Sequence, residues 1–226
     1  MKIPFQAVSG RSQNRGENGF RAFKLGVSIL FHPLYSMDII KRERKRYCYL
    51  PSALILLAVV LERVAQLFLQ NYAVSGMELQ DVNFLLDILM ILLPVVTYVG
   101  VTYYMTGILS GEARLGEIVA SSAYAFVPYL ILTPILTLAS WGMSEGMLPF
   151  YRMLEAAVLV WVLVLFFLGL LRLNDYGFWR SVLVALIIVV FMLLVWGLFL
   201  LFFALTCQLY MIIKEFLYEI TIRNMF

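Results

Sequence analysis

From Ser181 to Ile213 the chain runs 33 residues without a charged side chain. A soluble domain of this size has no interior long enough to hide such a helix, so lipid must solvate it. The run also exceeds the ~20 residues that cross a ~30 Å hydrocarbon core. We expect a tilted span over about 181–203, followed by a helix that bends or emerges. The rest of the chain is in keeping with this: 63% of its 226 residues are hydrophobic and 14% are charged. Soluble domains sit nearer ~45–50% apolar and ~25% charged.

Four further stretches are apolar enough to cross, at about 49–70, 85–109, 118–140 and 154–171. The predicted fold class is all-α: a polytopic membrane helix bundle of five transmembrane helices, with amphipathic helices at both ends. Residues 1–17, rich in Ser, Gly, Asn, Gln and Arg, read as a disordered leader. Residues 18–48 form a basic amphipathic region, 49–206 the five-span membrane domain and 207–226 a C-terminal amphipathic helix. In the basic region Phe20, Phe23, Val27, Leu30 and Phe31 recur at helical spacing. Pro33 ends that helix at His32 and opens a second one running into Lys41–Arg46. Near the C-terminus Leu209, Ile212, Ile213, Phe216 and Ile220 share one helical face, with Glu215, Glu219 and Arg223 on another. Such a helix lies on the membrane surface or binds a partner. The first 24 residues lack the apolar core of a signal peptide, so insertion is expected through the first span.

Charge sets the expected orientation. Ten of the 17 Lys and Arg precede Tyr47. On a five-span topology 13 lie on the N-terminal side (those ten with Arg114, Arg172 and Arg180), and three on the other (Arg152, Lys214 and Arg223). Excess cationic residues mark the cytoplasmic face. The N-terminus is therefore expected in the cytoplasm and the C-terminus outside, in a cell membrane. The basic region should be drawn to anionic headgroups. Nucleic acid is not the expected partner, because the cluster abuts an apolar span. Cys48 and Cys207 fall at opposite faces, which disfavours a disulfide between them.

Ionisable groups inside spans are candidate functional positions by default. Glu62 and Arg63 interrupt the first span, and Asp87 opens the second from the same face. Neighbours on a helix point apart, so Arg63 needs a partner other than Glu62, and a snorkelling side chain can reach Asp87. Such a pair either joins two helices or serves a proton or ion relay. The loop holding Gly111, Glu112, Arg114, Gly116 and Glu117 reads as a tight turn or a partner-docking loop. The third span carries small hydroxyls, Tyr124, Pro128 and Pro134, which suits a kinked packing helix or a substrate-lining broken one. No second broken helix accompanies it. A single histidine and the absence of phosphate-loop, HExxH or nucleophile-elbow motifs leave no metal site, cofactor or enzyme activity to expect.

Two stretches resemble a known family. One is His32-Pro33 followed by Met37-Asp38-Ile39-Ile40-Lys41-Arg42-Glu43. The other is Ser110-Gly111-Glu112, then Leu115-Gly116-Glu117-Ile118 and Ala123-Tyr124-Ala125-Phe126-Val127-Pro128. Together they are similar to the Ypt-interacting protein (Yip) family in its bacterial form, over about residues 30–220. The resemblance implies a five-span bundle with a cytoplasmic N-terminus. Eukaryotic members bind small GTPases, but the Asp-Leu-Tyr-Gly-Pro motif they carry is absent here, so GTPase binding does not carry over. The family's second loop glycine is Ala113 in this chain. The leading expectation is a non-enzymatic scaffold or accessory subunit that binds another membrane protein, such as a transporter. The alternative is a small transporter or channel component using Glu62, Arg63 and Asp87.

Overall fold

A computed structural model describes residues 25–42, 50–69 and 84–223. The expected leader, the stretch 18–24, the basic residues 44–46 and Cys48 lie outside the described residues, as do the side chains of Phe216, Glu219, Ile220 and Arg223. The described chain is helical throughout, with no strand. A helical stretch at 25–31 breaks at His32, where the following proline disfavours helix, and α1 (Pro33–Arg42) starts on that proline. Then come α2 (Leu50–Leu69), α3 (Phe84–Ile108), α4 (Leu115–Ala125), α5 (Val127–Ser140), α6 (Leu148–Leu173) and α7 (Phe178–Arg223). Five segments are long and apolar enough to cross a membrane, with α4 and α5 together forming the third. The protein is a multi-pass helical bundle.

Three spans differ from expectation. The third breaks at Phe126, because Pro128 suits the first turn of a new helix better than the interior of an old one. The fourth begins at Leu148 rather than near 154, since Pro149 again sits in a first turn. Its flanking charges do not bound it: Arg152 is exposed on one face, while Glu155 is half-buried on another. The fifth does not bend near 203. It continues as one helix through the expected C-terminal segment, for 46 residues or about 69 Å. No proline follows Pro149 to interrupt it.

The α4–α5 span is the centre of the bundle. In its most apolar stretch 61% of residues are buried, against 6–28% in the other four. Its composition explains why. Ala120, Ser121, Ser122, Ala123 and Ala125 are small and buried, which lets neighbouring backbones approach. The closest approach is to α6. A methyl group placed on Gly169 would lie 2.1 Å from the Ser121 hydroxyl. Ser121 Oγ in turn contacts Met37 Sδ of α1 at 3.4 Å. Around this point Leu25, Ile29, Met37, Ile40, Tyr124 and Leu165 form a buried cluster that seats the N-terminal helices against α4 and α6. Hydroxyls on the central span bond back to its own carbonyls: Ser122 to Ile118 at 2.7 Å and Thr137 to Thr133 at 2.9 Å. Tyr124 and Pro128 are both buried in this core.

Gly169→Ala should be accommodated by turning the Ser121 hydroxyl away from Met37. Gly169→Val should not, and should cost about 1–3 kcal/mol through overpacking. Thermal unfolding in mild detergent checks this, and a valine variant as stable as the parent would refute the close approach.

Candidate functional site

Polar side chains gather at the two ends of the bundle. At the end where α2 finishes and α3 starts, the Arg63 guanidinium donates to Asp87 Oδ1 at 3.3 Å and to Gln66 Oε1 at 3.0 Å. Gln66 Nε2 donates to Glu155 Oε1 of α6 at 3.2 Å, and the Tyr129 hydroxyl of α5 donates to Gln66 Oε1 at 3.3 Å. The expected Arg63–Asp87 contact is present. It is one limb of a network linking α2, α3, α5 and α6. Gln66 is its hub: one turn beyond Arg63 on the same face, buried, and bonded to three partners. The Tyr151 hydroxyl is buried beside Gln66, Glu155, Thr137 and Arg63. Glu62 makes no salt bridge among the described residues.

Arg63, Asp87 and Glu155 lie roughly one to two turns from their helix ends. An unpaired charge at that depth is expensive, and each of the three has a partner here. Among the described residues no His, Cys, Asp and Glu group is arranged to hold a metal ion.

The other end holds the loop 110–114. Gly111 is required for space: a methyl there would meet Asn174 Oδ1 at 2.3 Å, Tyr176 Oη at 2.4 Å and Thr106 Cγ2 at 2.6 Å. Asn174 Oδ1 accepts the Ala113 backbone N–H at 3.2 Å. The Tyr176 hydroxyl and the Arg180 guanidinium both donate to the Leu109 carbonyl, at 3.4 and 2.6 Å. Arg180 also stacks 4.6 Å from the Tyr176 ring centre. Gly116 and Glu117 are buried at the start of α4, where Glu117 Oε2 accepts the Arg114 N–H at 3.2 Å. Glu112 and Arg114 remain exposed. Of the five loop residues singled out from sequence, three are therefore taken up inside the bundle and two face outward.

Lys41 at the end of α1 bridges this loop to the α6–α7 turn. Its ammonium pairs with Glu112 at 3.4 Å and with Asp175. Arg172 and Asp38 lie 3.9 Å apart alongside. Partial burial works against the Lys41 charge, but Asp175 and then Glu112 outweigh it and raise its pKa above the ordinary 10.5. Burial likewise raises the Tyr176 hydroxyl, with Arg180 opposing. Ser110 and Asp175 both take left-handed backbone angles, φ 54° and 52°, at the two turns that meet here.

The residues missed from sequence are Gln66, Tyr129, Glu155, Asn174, Asp175 and Arg180. Gln66 had a readable signal, three residues from Arg63 on one helical face. Asn174-Asp175-Tyr176-Gly177 had one too, as a turn between two spans. No known protein family, curated protein or solved structure matches the chain.

Two outcomes follow. Arg63→Asp and Asp87→Arg should each cost about 1–2 kcal/mol, by stranding a half-buried charge. The double swap should recover most of that loss in a thermal melt; a double no better than its singles would remove the pair. Separately, the Lys41 contribution should be complete below pH 10.5 and fade as pH rises through its raised pKa. A Lys41→Met variant should lose that alkaline dependence in protease-protection assays of the α1 segment.

Proposed function

We propose that this protein is a non-enzymatic scaffold or accessory subunit, acting by association with another membrane protein. The observation that carries this is the far half of α7. Every residue from Gly197 to Glu215 is exposed, yet none is charged before Lys214. A helix apolar on all sides is normally buried, in a core or in lipid. Here it extends roughly 30 Å beyond what α6 reaches, since 46 residues rise ~69 Å and 26 rise ~39 Å. That surplus is more than one bilayer crossing covers, and a partner helix is the natural cover for it.

The Lys and Arg imbalance supports a cytoplasmic α1 end in a cell membrane, with α7 leading to the outside. On that orientation the basic N-terminal segment sits against anionic headgroups, and Glu112 and Arg114 offer a small cytoplasmic contact point. The likeness to the bacterial Yip family, which rests on the motif residues alone, fits the same reading. Transport through Glu62, Arg63 and Asp87 is the weaker alternative, because the Arg63 charge is spent on Asp87 and Gln66.

Photo-crosslinkers at Leu209 and Met211, against Leu183 as a control beside the bundle, test the proposal in native membranes. One stoichiometric partner captured only from the distal sites is expected. Ion flux by the purified protein alone in liposomes would overturn it. Terminal tags found in one compartment would overturn the orientation.

A further inference from the structure

Between α3, α6 and α7, at mid-membrane depth, the helices enclose a cavity of about 650 Å³. It begins where Pro94 interrupts the α3 hydrogen-bond ladder and where α7 turns the small Ala185 toward the gap. Val95, Val162, Leu170 and Ile188 are its buried floor. Met90, Leu163 and Leu193, each about two-thirds exposed, form its rim on the outward side of the bundle. The cavity therefore opens sideways, away from the central span.

Its chemistry is one-sided. The polar side-chain atoms on the lining are those of Tyr98 and Trp196, and both are already engaged. The Tyr98 hydroxyl donates to the Phe166 carbonyl at 3.4 Å, and Trp196 Nε1 to Thr97 Oγ1 at 3.4 Å. The Thr97 hydroxyl in turn donates to the Leu93 carbonyl at 2.8 Å. Nothing is left to recognise a polar ligand, and water finds too few partners to stay. A dry cavity of ~150 Å³ accepts benzene, so this one holds on the order of 25 carbon atoms. Along α7 the lining runs from Ala185 to Trp196, about 10–27 Å from the start of the helix. That depth is reached by the acyl chain of a bilayer lipid and not by its headgroup.

We infer that this cavity is a binding site for the acyl chain of a membrane phospholipid, selected by chain and not by headgroup. The chain enters between Met90, Leu163 and Leu193 and lies against Trp196. The site is independent of the α7 surplus on which the scaffold reading rests, because its lining ends at Trp196.

The test uses full-length protein in mild detergent, with Trp141, Trp161 and Trp179 replaced by Phe so that Trp196 alone reports. Phospholipid carrying 9,10-dibromostearoyl chains is titrated in. The expected result is saturable loss of Trp196 emission, equal for choline and glycerol headgroups and absent with glycerophosphocholine. Ala185→Phe, which puts a phenyl ring into the cavity, should weaken the saturable loss, and Leu183→Phe on the exposed face should not. Quenching that never saturates, or that Ala185→Phe leaves unchanged, would overturn the site. Should Ala185→Phe fail to fold, unbrominated phospholipid added to the single-Trp protein provides the second arm. Its displacement of the brominated lipid is expected, and displacement by headgroup alone would refute chain recognition.

Discussion

The close approach of α6 to the central span, at Gly169 against Ser121, is the constraint from which the rest of the bundle follows. In lipid there is no hydrophobic force pulling helices together, so packing contact and interhelical polar bonds must do it. Small side chains at 120–123 and 125 allow that contact, and a glycine opposite completes it. Once α4 and α6 touch, the pocket for Met37 and Tyr124 is defined, and α1 has somewhere to lie. The polar ends then add selectivity to this apolar centre. At one end Arg63 and Gln66 together tie four helices. At the other Asn174, Tyr176 and Lys41 tie two turns to α1. A bundle held this way has a defined middle and two fastened ends.

How much of this was legible in the sequence depends on the range of the interaction. The helix start at Pro33, the five spans and the Arg63–Asp87 pair are settled by local composition, proline geometry and depth along two consecutive helices. All three were readable. The start of α6 is harder to place, because Glu155 has the look of a boundary but lies inside the helix, where it reaches Gln66, 89 residues away. Sequence spacing does not encode such a partner. Tyr124 and Pro128 attract notice as polar or helix-breaking residues in a span; in the structure both are buried in the core, and Pro128 opens α5. The apolar cavity was invisible for the same reason: it belongs to no helix, only to the gap left where three fail to meet.

The loop 110–114 shows how one motif can carry two readings until its neighbours are known. Its glycines suit a turn and also suit a docking loop. The structure gives Gly111 a specific job, since Asn174 and Tyr176 occupy the place its side chain would take. The outward residues, Glu112 and Arg114, are those without that constraint. Of these, Glu112 is held through Lys41, so movement of α1 and presentation of Glu112 are coupled.

The unbroken length of α7 has a mechanical meaning. From Gly197 to Arg223 it stands as a rod of roughly 40 Å, clamped at its base by the packing of Val184 and Ile188 beside Met105 and Leu170. A rod clamped at one end turns angle into distance. Tipping the base by about 10° would sweep the free tip by ~7 Å at 1.5 Å per residue, more than one helical pitch. Small rearrangements among α3, α6 and α7 would thus be amplified at the tip, far from where they began.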